Sequence, residues 1–296
     1  MPRLNRFQVL KLIKPKIINK LEELEKDVLS FGDITDLMDY CKNELMLPRI
    51  TSKEEFLEFL VGNKILTEYK LLKEENVTRR YAYNKDTSIY EIALSINNKA
   101  YLSHYSAMYI NNLTNNVPKH IYINIEQCKK NIKNSPLKQE FIDKAFSNPF
   151  RKTNNIYRIE DKLNNIYVLN GKFSDRYGVK KIEFEGRKLE VTSIERTLID
   201  IVVRPQYSGD TLEVLNAYKL AKGRISANRL RAILKKLDYT YPYHQAIGFY
   251  MQKAGYDEKQ LNLLRSIPME YDFYLTNEMK NTSYSKEWKI YYPKDL

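Results

Sequence analysis

Cysteine is nearly absent from this chain. Only Cys41 and Cys128 occur in 296 residues, with no CxxC pair and no Cys/His cluster. That scarcity excludes a disulfide framework and a structural zinc site, and it points to a reduced, cytoplasmic protein. Histidine is as scarce: His104, His120 and His244 are never at metal-ligand spacing. The nine glycines form neither GxGxxG nor GxxxxGK[ST], so no phosphate-cradling loop is encoded and no cofactor is expected. No apolar run approaches the ~20 residues of a bilayer span. Lys11 and Lys14 interrupt the apolar residues after the basic start, which is no signal-peptide core.

Positive charge is what the chain has in excess. Forty-nine Lys and Arg against 37 Asp and Glu leave +12. Such a surplus favours a polyanionic partner, nucleic acid before membrane surface. Tyrosine is abundant, at 24 against a single tryptophan, and reads mainly as core and rim material. The length predicts two domains, and the pattern divides them at residues 1–98 and 99–296.

The first domain reads as helices followed by a ribbon. Ile17, Leu21, Leu24 and Val28 recur at helical spacing, and Gly32 breaks the run. Asp33 can cap a second helix with the stripe Ile34, Leu37, Met38, Cys41 and Leu45. Ser52-Lys53-Glu54-Glu55 is a capping box that opens a third, and Ser88 with Glu91 opens a fourth. Between them, Ile65–Tyr69 and Thr78–Tyr83 flank the polar turn Glu74-Glu75-Asn76 as a hairpin. Three helices and a basic hairpin follow the order of a winged helix-turn-helix, which lays its third helix in the DNA major groove. The DNA-facing candidates are Arg49, Thr51, Ser52 and Lys53 at the start of helix three, with Arg79, Arg80 and Tyr81 on the wing. Local charge opposes this: from Phe31 to Asn63 seven acids face only Lys42, Arg49 and Lys53.

The second domain is mixed. A helix is expected from Tyr101 to Leu113, and His120–Ile125 alternates as a half-buried strand. Two further strands, 156–160 and 166–170, precede a hairpin turning at Glu185-Gly186; the rest is mainly helical, with a stripe of Leu230, Ile233, Leu234 and Leu237 behind Ser226 and a last helix starting at Asp257. Basic residues concentrate in Lys129–Lys138 and Lys219–Lys236. The fold class is therefore α+β.

Candidate catalytic groups all have structural employment. Adjacent helical residues do not face each other, so Ser103-His104 reads as a helix cap beside a partly buried ring, not as a nucleophile and base. Thr192-Ser193-Ile194-Glu195 reads as a capping box, and Arg196 with Asp200, at i and i+4, as a surface ion pair. Nothing here argues for an enzyme.

Three stretches carry a family resemblance. They are Tyr101–Thr114 with Pro118 and the Ile121–Ile125 strand, Val191–Asp200 with Arg204-Pro205, and Trp288–Pro293. In their order and content they resemble the AbiEi antitoxins of bacterial abortive-infection and toxin–antitoxin systems. The resemblance implies a winged helix that binds inverted repeats in double-stranded DNA upstream of a two-gene operon and represses it. It also implies a second domain that counters a nucleotidyltransferase-like toxin without a stable complex. Ser193, Glu195, Arg196, Asp200 and Arg204 fall in that domain's motif. Two other readings stand beside it: a module that sequesters its toxin directly on a vestigial winged helix, and a nucleic-acid-processing enzyme using Glu195 and Asp200.

Overall fold

The computed structural model describes residues 4–24, 26–83, 86–129 and 136–296. The centre of the basic Lys129–Lys138 stretch, residues 130–135, lies outside them. Helices and sheet are mixed throughout, and the protein is α+β. No helix among the described residues is long and apolar enough to cross a membrane.

Two compact units form. The first comprises Met1–Asn98 together with Tyr157–Asn164. It runs α1 (Arg6–Glu22), β1 (Val28–Leu29), α2 (Phe31–Glu44), α3 (Lys53–Gly62), β2 (Thr67–Lys73), β3 (Asn76–Ala82) and α4 (Ile89–Leu94). β1 and β2 both pair antiparallel with β3. Leu10, Ile13, Ile17 and Leu21 of α1 pack with Ile34, Leu37 and Met38 of α2 and with Phe56 and Leu60 of α3 to make the core.

Three expectations are corrected here. The first helix begins at Arg6, well before Ile17, because Asn5 and Gln8 form a reciprocal capping box; Val28 belongs to a strand. The second helix is capped by Ser30, not Asp33, and Asp33 instead returns its carboxylate to the Ser30 backbone at 2.7 Å. Gly32 thus sits in the first turn and breaks nothing. Finally, residues 157–164 leave the second domain for the first. Ile159 and Arg158 pair with Leu71 and Leu72, and Lys70 meets Glu160 at 2.8 Å, so this segment extends the sheet beyond β2.

The second unit comprises Lys99–Ile156 and Asn165–Leu296. Its order begins β4 (Tyr101–Leu102), α5 (His104–Ile110), β5 (Ile121–Glu126) and α6 (Gln139–Ser147). After the Ile156–Ile159 strand, β6 in chain order, come β7 (Asn165–Gly171), β8 (Val179–Phe184), β9 (Arg187–Thr192) and α7 (Ile194–Val203). The sheet order is β7-β5-β4-β9-β8, with β5 and β7 parallel over six residue pairs. Tyr101 and Leu102 are strand rather than helix, because they bridge β5 and β9.

The remaining helices are α8 (Asp210–Ala221), α9 (Ala227–Leu237), α10 (Tyr243–Lys253) and α11 (Glu258–Arg265). The C-terminal segment then adds a three-stranded sheet of β10 (Phe273–Tyr274), β11 (Thr282–Ser285) and β12 (Ile290–Pro293). Trp288 from this segment is fully buried against α10, over Gly248. A Cβ at Gly248 would lie 2.1 Å from the indole ring, so the position tolerates no side chain. Gly248→Ala should lower stability by about 1–3 kcal/mol through overpacking, although alanine is the better helix former. Urea unfolding reads the sign, and a stabilised variant would contradict the packing.

Candidate functional site

In the first unit the seven DNA-facing candidates do not share one face. Arg49 is exposed in the turn before α3. Thr51 is buried at 2% exposure, and Ser52 is the N-cap, accepting from the Glu55 backbone at 3.2 Å. The Lys53 ammonium lies 5.3 Å over the Phe31 ring, whose outer surface is open. On β3, Arg79 is exposed but paired with Glu68 at 3.3 Å. Arg80 turns back on its own unit and donates to the Ser95 carbonyl at 3.0 Å and to the Arg79 carbonyl at 2.9 Å. Burial lowers its pKa. Tyr81 is in the core. Thr51 and Tyr81, both buried, and Arg80, held by the Ser95 carbonyl, are therefore corrected to structural positions.

The acidic excess near α3 is partly answered from outside that stretch. Arg6 meets Glu55 at 2.5 Å, and Lys26 pairs with Asp33. Glu54 and Glu58 nevertheless stand on the exposed side of α3. Sequence reasoning misses α1 as a charge carrier. Lys11 and Lys16 are exposed and Lys14 half-buried, with no carboxylate between Arg6 and Lys20. The missing acids were the available signal.

In the second unit the motif folds into a buried network. α7 is enclosed almost all round: Glu195 through Val202 are all buried. Ser193 is its N-cap, accepting from the Arg196 backbone at 3.4 Å, which makes Glu195 the second helical residue. The expected capping box from Thr192 is thus absent. Thr192 instead hydrogen-bonds the Thr197 hydroxyl at 2.7 Å, while Asn111 donates to the Thr192 carbonyl at 2.9 Å. The Glu195 carboxylate reaches the start of α9, accepting from the Ser226 backbone at 3.5 Å with Arg229 at 3.9 Å. A carboxylate at a helix N-terminus is favourably placed.

The surface ion pair is overturned as well. Arg196 and Asp200 meet at 2.8 Å with side chains only 2% and 7% exposed. The guanidinium also donates to Ser174 Oγ at 3.1 Å and to the Tyr177 carbonyl at 2.7 Å. Gly178, at φ +84°, lets that loop press down: a Cβ there would lie 2.9 Å from Arg196 Cβ. Glu126 backs the arrangement, its carboxylate accepting from the Ser174 hydroxyl and, at 2.8 Å, from the Ser174 backbone. Burial works against the Arg196 charge, but Asp200 and Tyr101 outweigh it and hold the proton more firmly than usual. For Glu126, burial is likewise outweighed, by the Ser174 and Arg176 hydrogen bonds and the Arg196 charge, so the carboxyl is lowered. Arg204, just beyond α7, donates to the Asn170 carbonyl at 3.2 Å.

Ser103 and His104 also depart from expectation. Ser103 occupies the N-cap position of α5 but makes no capping bond; its hydroxyl contacts His104 Nδ1 at 2.9 Å. The two can meet because Ser103 is extended and His104 has φ +50°, so they are not successive residues of a regular helix. Burial, then Arg204 and Arg196, lowers the His104 pKa well below 6.5. Among the described residues no three His, Cys, Asp or Glu side chains gather as a metal site.

No family model matches the chain, and no curated protein matches it. A similar fold is found among solved structures. It is the crystal structure of RV2827C protein from Mycobacterium tuberculosis, with a TM-score of 0.59 at 13% identity. The match covers 95% of this chain and 91% of that one. It bears on the fold alone.

Removing one partner of the buried pair leaves an uncompensated charge. Asp200→Ala should therefore cost about 3–5 kcal/mol in urea unfolding. Glu195→Ala should cost nearer 1 kcal/mol, the loss of a helix-end interaction at 3.5–3.9 Å whose cationic partner, Arg229, is half exposed. Equal losses would contradict the geometry. His244, with Nε2 unpartnered and its pKa lowered by burial from 6.5 to about 4, joins His104 in setting the acid limit. The unfolded chain takes up these protons first, so their contribution is full above about 6.5 and is lost as pH falls toward 4. Melting temperature should fall with acidification through that window, and His244→Gln should flatten the fall.

Proposed function

We propose that the chain is the antitoxin of a bacterial toxin–antitoxin pair, a DNA-binding autorepressor of its own operon that opposes a nucleotidyltransferase-like toxin. The observation that carries this reading is the order α1–β1–α2–α3–β2–β3, with β1 hydrogen-bonded to β3. Helices, a short bridging strand and a hairpin in that order support a winged helix-turn-helix. The motif resemblance to AbiEi antitoxins supplies the rest. The reading is non-enzymatic, since Glu195 and Asp200 are both engaged in packing contacts between helices or with Arg196.

The candidate DNA surface differs from the one read in the sequence. The cations proposed to meet phosphate are Lys11, Lys14 and Lys16 on α1, Arg49 in the turn, and Lys53 and Arg79 at the edges of α3 and the wing. The groove-reading role of α3 itself is weakened by Glu54 and Glu58. Those two carboxylates favour the second reading, a module that captures its toxin through protein contacts.

A gel-shift titration of the full chain on the DNA upstream of its own gene separates the two. The autorepressor reading expects tighter binding there than to a random duplex, with a steep salt dependence. Lys11→Ala with Lys16→Ala should reduce the log–log salt slope by about two, at ~0.9 for each phosphate no longer neutralised. Arg80→Ala should leave it unchanged. Equal affinity for both duplexes would end the DNA reading.

A further inference from the structure

The second unit contains a cleft of about 710 Å³ that none of these roles employs. It opens beyond the carboxyl ends of the parallel strands β5 and β7, where Gln127, Asn170 and Gly171 line it. In open α/β sheets ligands bind at this end, where the loops that follow the strands can supply the contacts. The volume falls within the ~300–1,000 Å³ of small-molecule sites and is far too small for a folded partner.

Two kinds of side chain dominate its chemistry. Lys172, Arg204 and Lys236 bring positive charge, while the carboxylates present are Asp200 and Asp238. Asp200 is committed to Arg196, and Asp238 lies 3.6 Å from Lys172. Arg204 and Lys236 therefore have no carboxylate partner among the described residues. Aromatic rings provide the other component: Phe173 and Tyr241 enter from separate loops. Phe173 is 40% exposed, an apolar ring that folding leaves in water. The floor is rigid, because Arg196 is fixed by three acceptors and Asn170 by Arg204.

We propose that this cleft binds a nucleoside phosphate, its base against the rings of Phe173 and Tyr241 and its phosphate on Arg204 and Lys236. A guanidinium matches phosphate oxygens in a two-pronged contact, and an ammonium adds a point charge beside it. Flat bases stack on aromatic rings irrespective of base identity, so the site selects the class and not one nucleobase. The same chemistry is offered by a free nucleotide and by the end of an RNA strand. The assignment does not depend on the DNA-binding reading.

The chain carries its own reporter. Cys128 is exposed and lines the cleft, whereas Cys41 is buried, with its thiol pushed up to about 12. A thiol reagent acting on the native full-length protein therefore reads Cys128 alone. The probes are ATP, GTP, CTP and UTP, a short single-stranded RNA, inorganic phosphate, and adenosine. Protection by mononucleotides assigns the free nucleotide; protection by the RNA alone assigns the strand end. Lys236→Ala, at an exposed position without a packing role, should weaken that protection about tenfold and leave the ligand-free melting temperature unchanged. Arg204→Ala should weaken it further. The proposal fails if no nucleotide or RNA protects Cys128, if phosphate or adenosine protects as well as the nucleotides do, or if nucleotides protect the Lys236→Ala and Arg204→Ala proteins as they do the parent.

Discussion

The second unit is organised around one buried guanidinium. Burying a guanidinium costs several kcal/mol unless an opposite charge and hydrogen-bond acceptors meet it. Asp200 answers from the next turn of α7, and Ser174 and Tyr177 answer from the segment between β7 and β8. That segment is in turn pinned by Glu126 at the end of β5. One side chain thus fixes a helix, a loop and a strand end together. The same pair would be worth little at the surface, where water screens it. Its contribution here is geometric: it ties the loop to the helix through Ser174 and Tyr177.

Much of the local structure was legible in the sequence. Ser52, Ser88 and Asp257 begin helices where their capping residues indicate, and the turn at Glu185-Gly186 joins β8 to β9. The α9 stripe of Leu230, Ile233 and Leu237 is buried behind Ser226. These are signals read within a few residues. What failed required knowing the neighbours. Spacing of i and i+4 places Arg196 beside Asp200 equally well in water or in the core. Periodicity then assigns polar residues to solvent by default. In α7 that default is wrong because the helix is covered on every side.

The same limit applies to the cationic candidates. Arg79 and Arg80 are adjacent in a strand, so only one could look outward, and the sequence does not say which. The structure turns Arg80 inward to satisfy the carbonyls that end α4. Charge balance is also non-local. Glu55 and Asp33 count against DNA when their own stretch is tallied, yet Arg6 and Lys26 neutralise them from elsewhere in the unit. The basic helix α1 is obscured for a related reason: in the sequence its lysines speak only against a signal peptide, and the capping box of Asn5 and Gln8 that starts the helix is not read there.

The return of residues 157–164 to the first unit has a bearing on biosynthesis. Until that strand emerges from the ribosome, the side of β2 at Leu71 and Leu72 has no neighbour on which to place its amides and carbonyls. The first unit therefore has its core residues but not its complete sheet when its first 98 residues have been made. It waits, edge unsealed, while β4, α5, β5 and α6 of the other unit are already being synthesised. Each unit has its own core, and yet their maturation is interleaved in time.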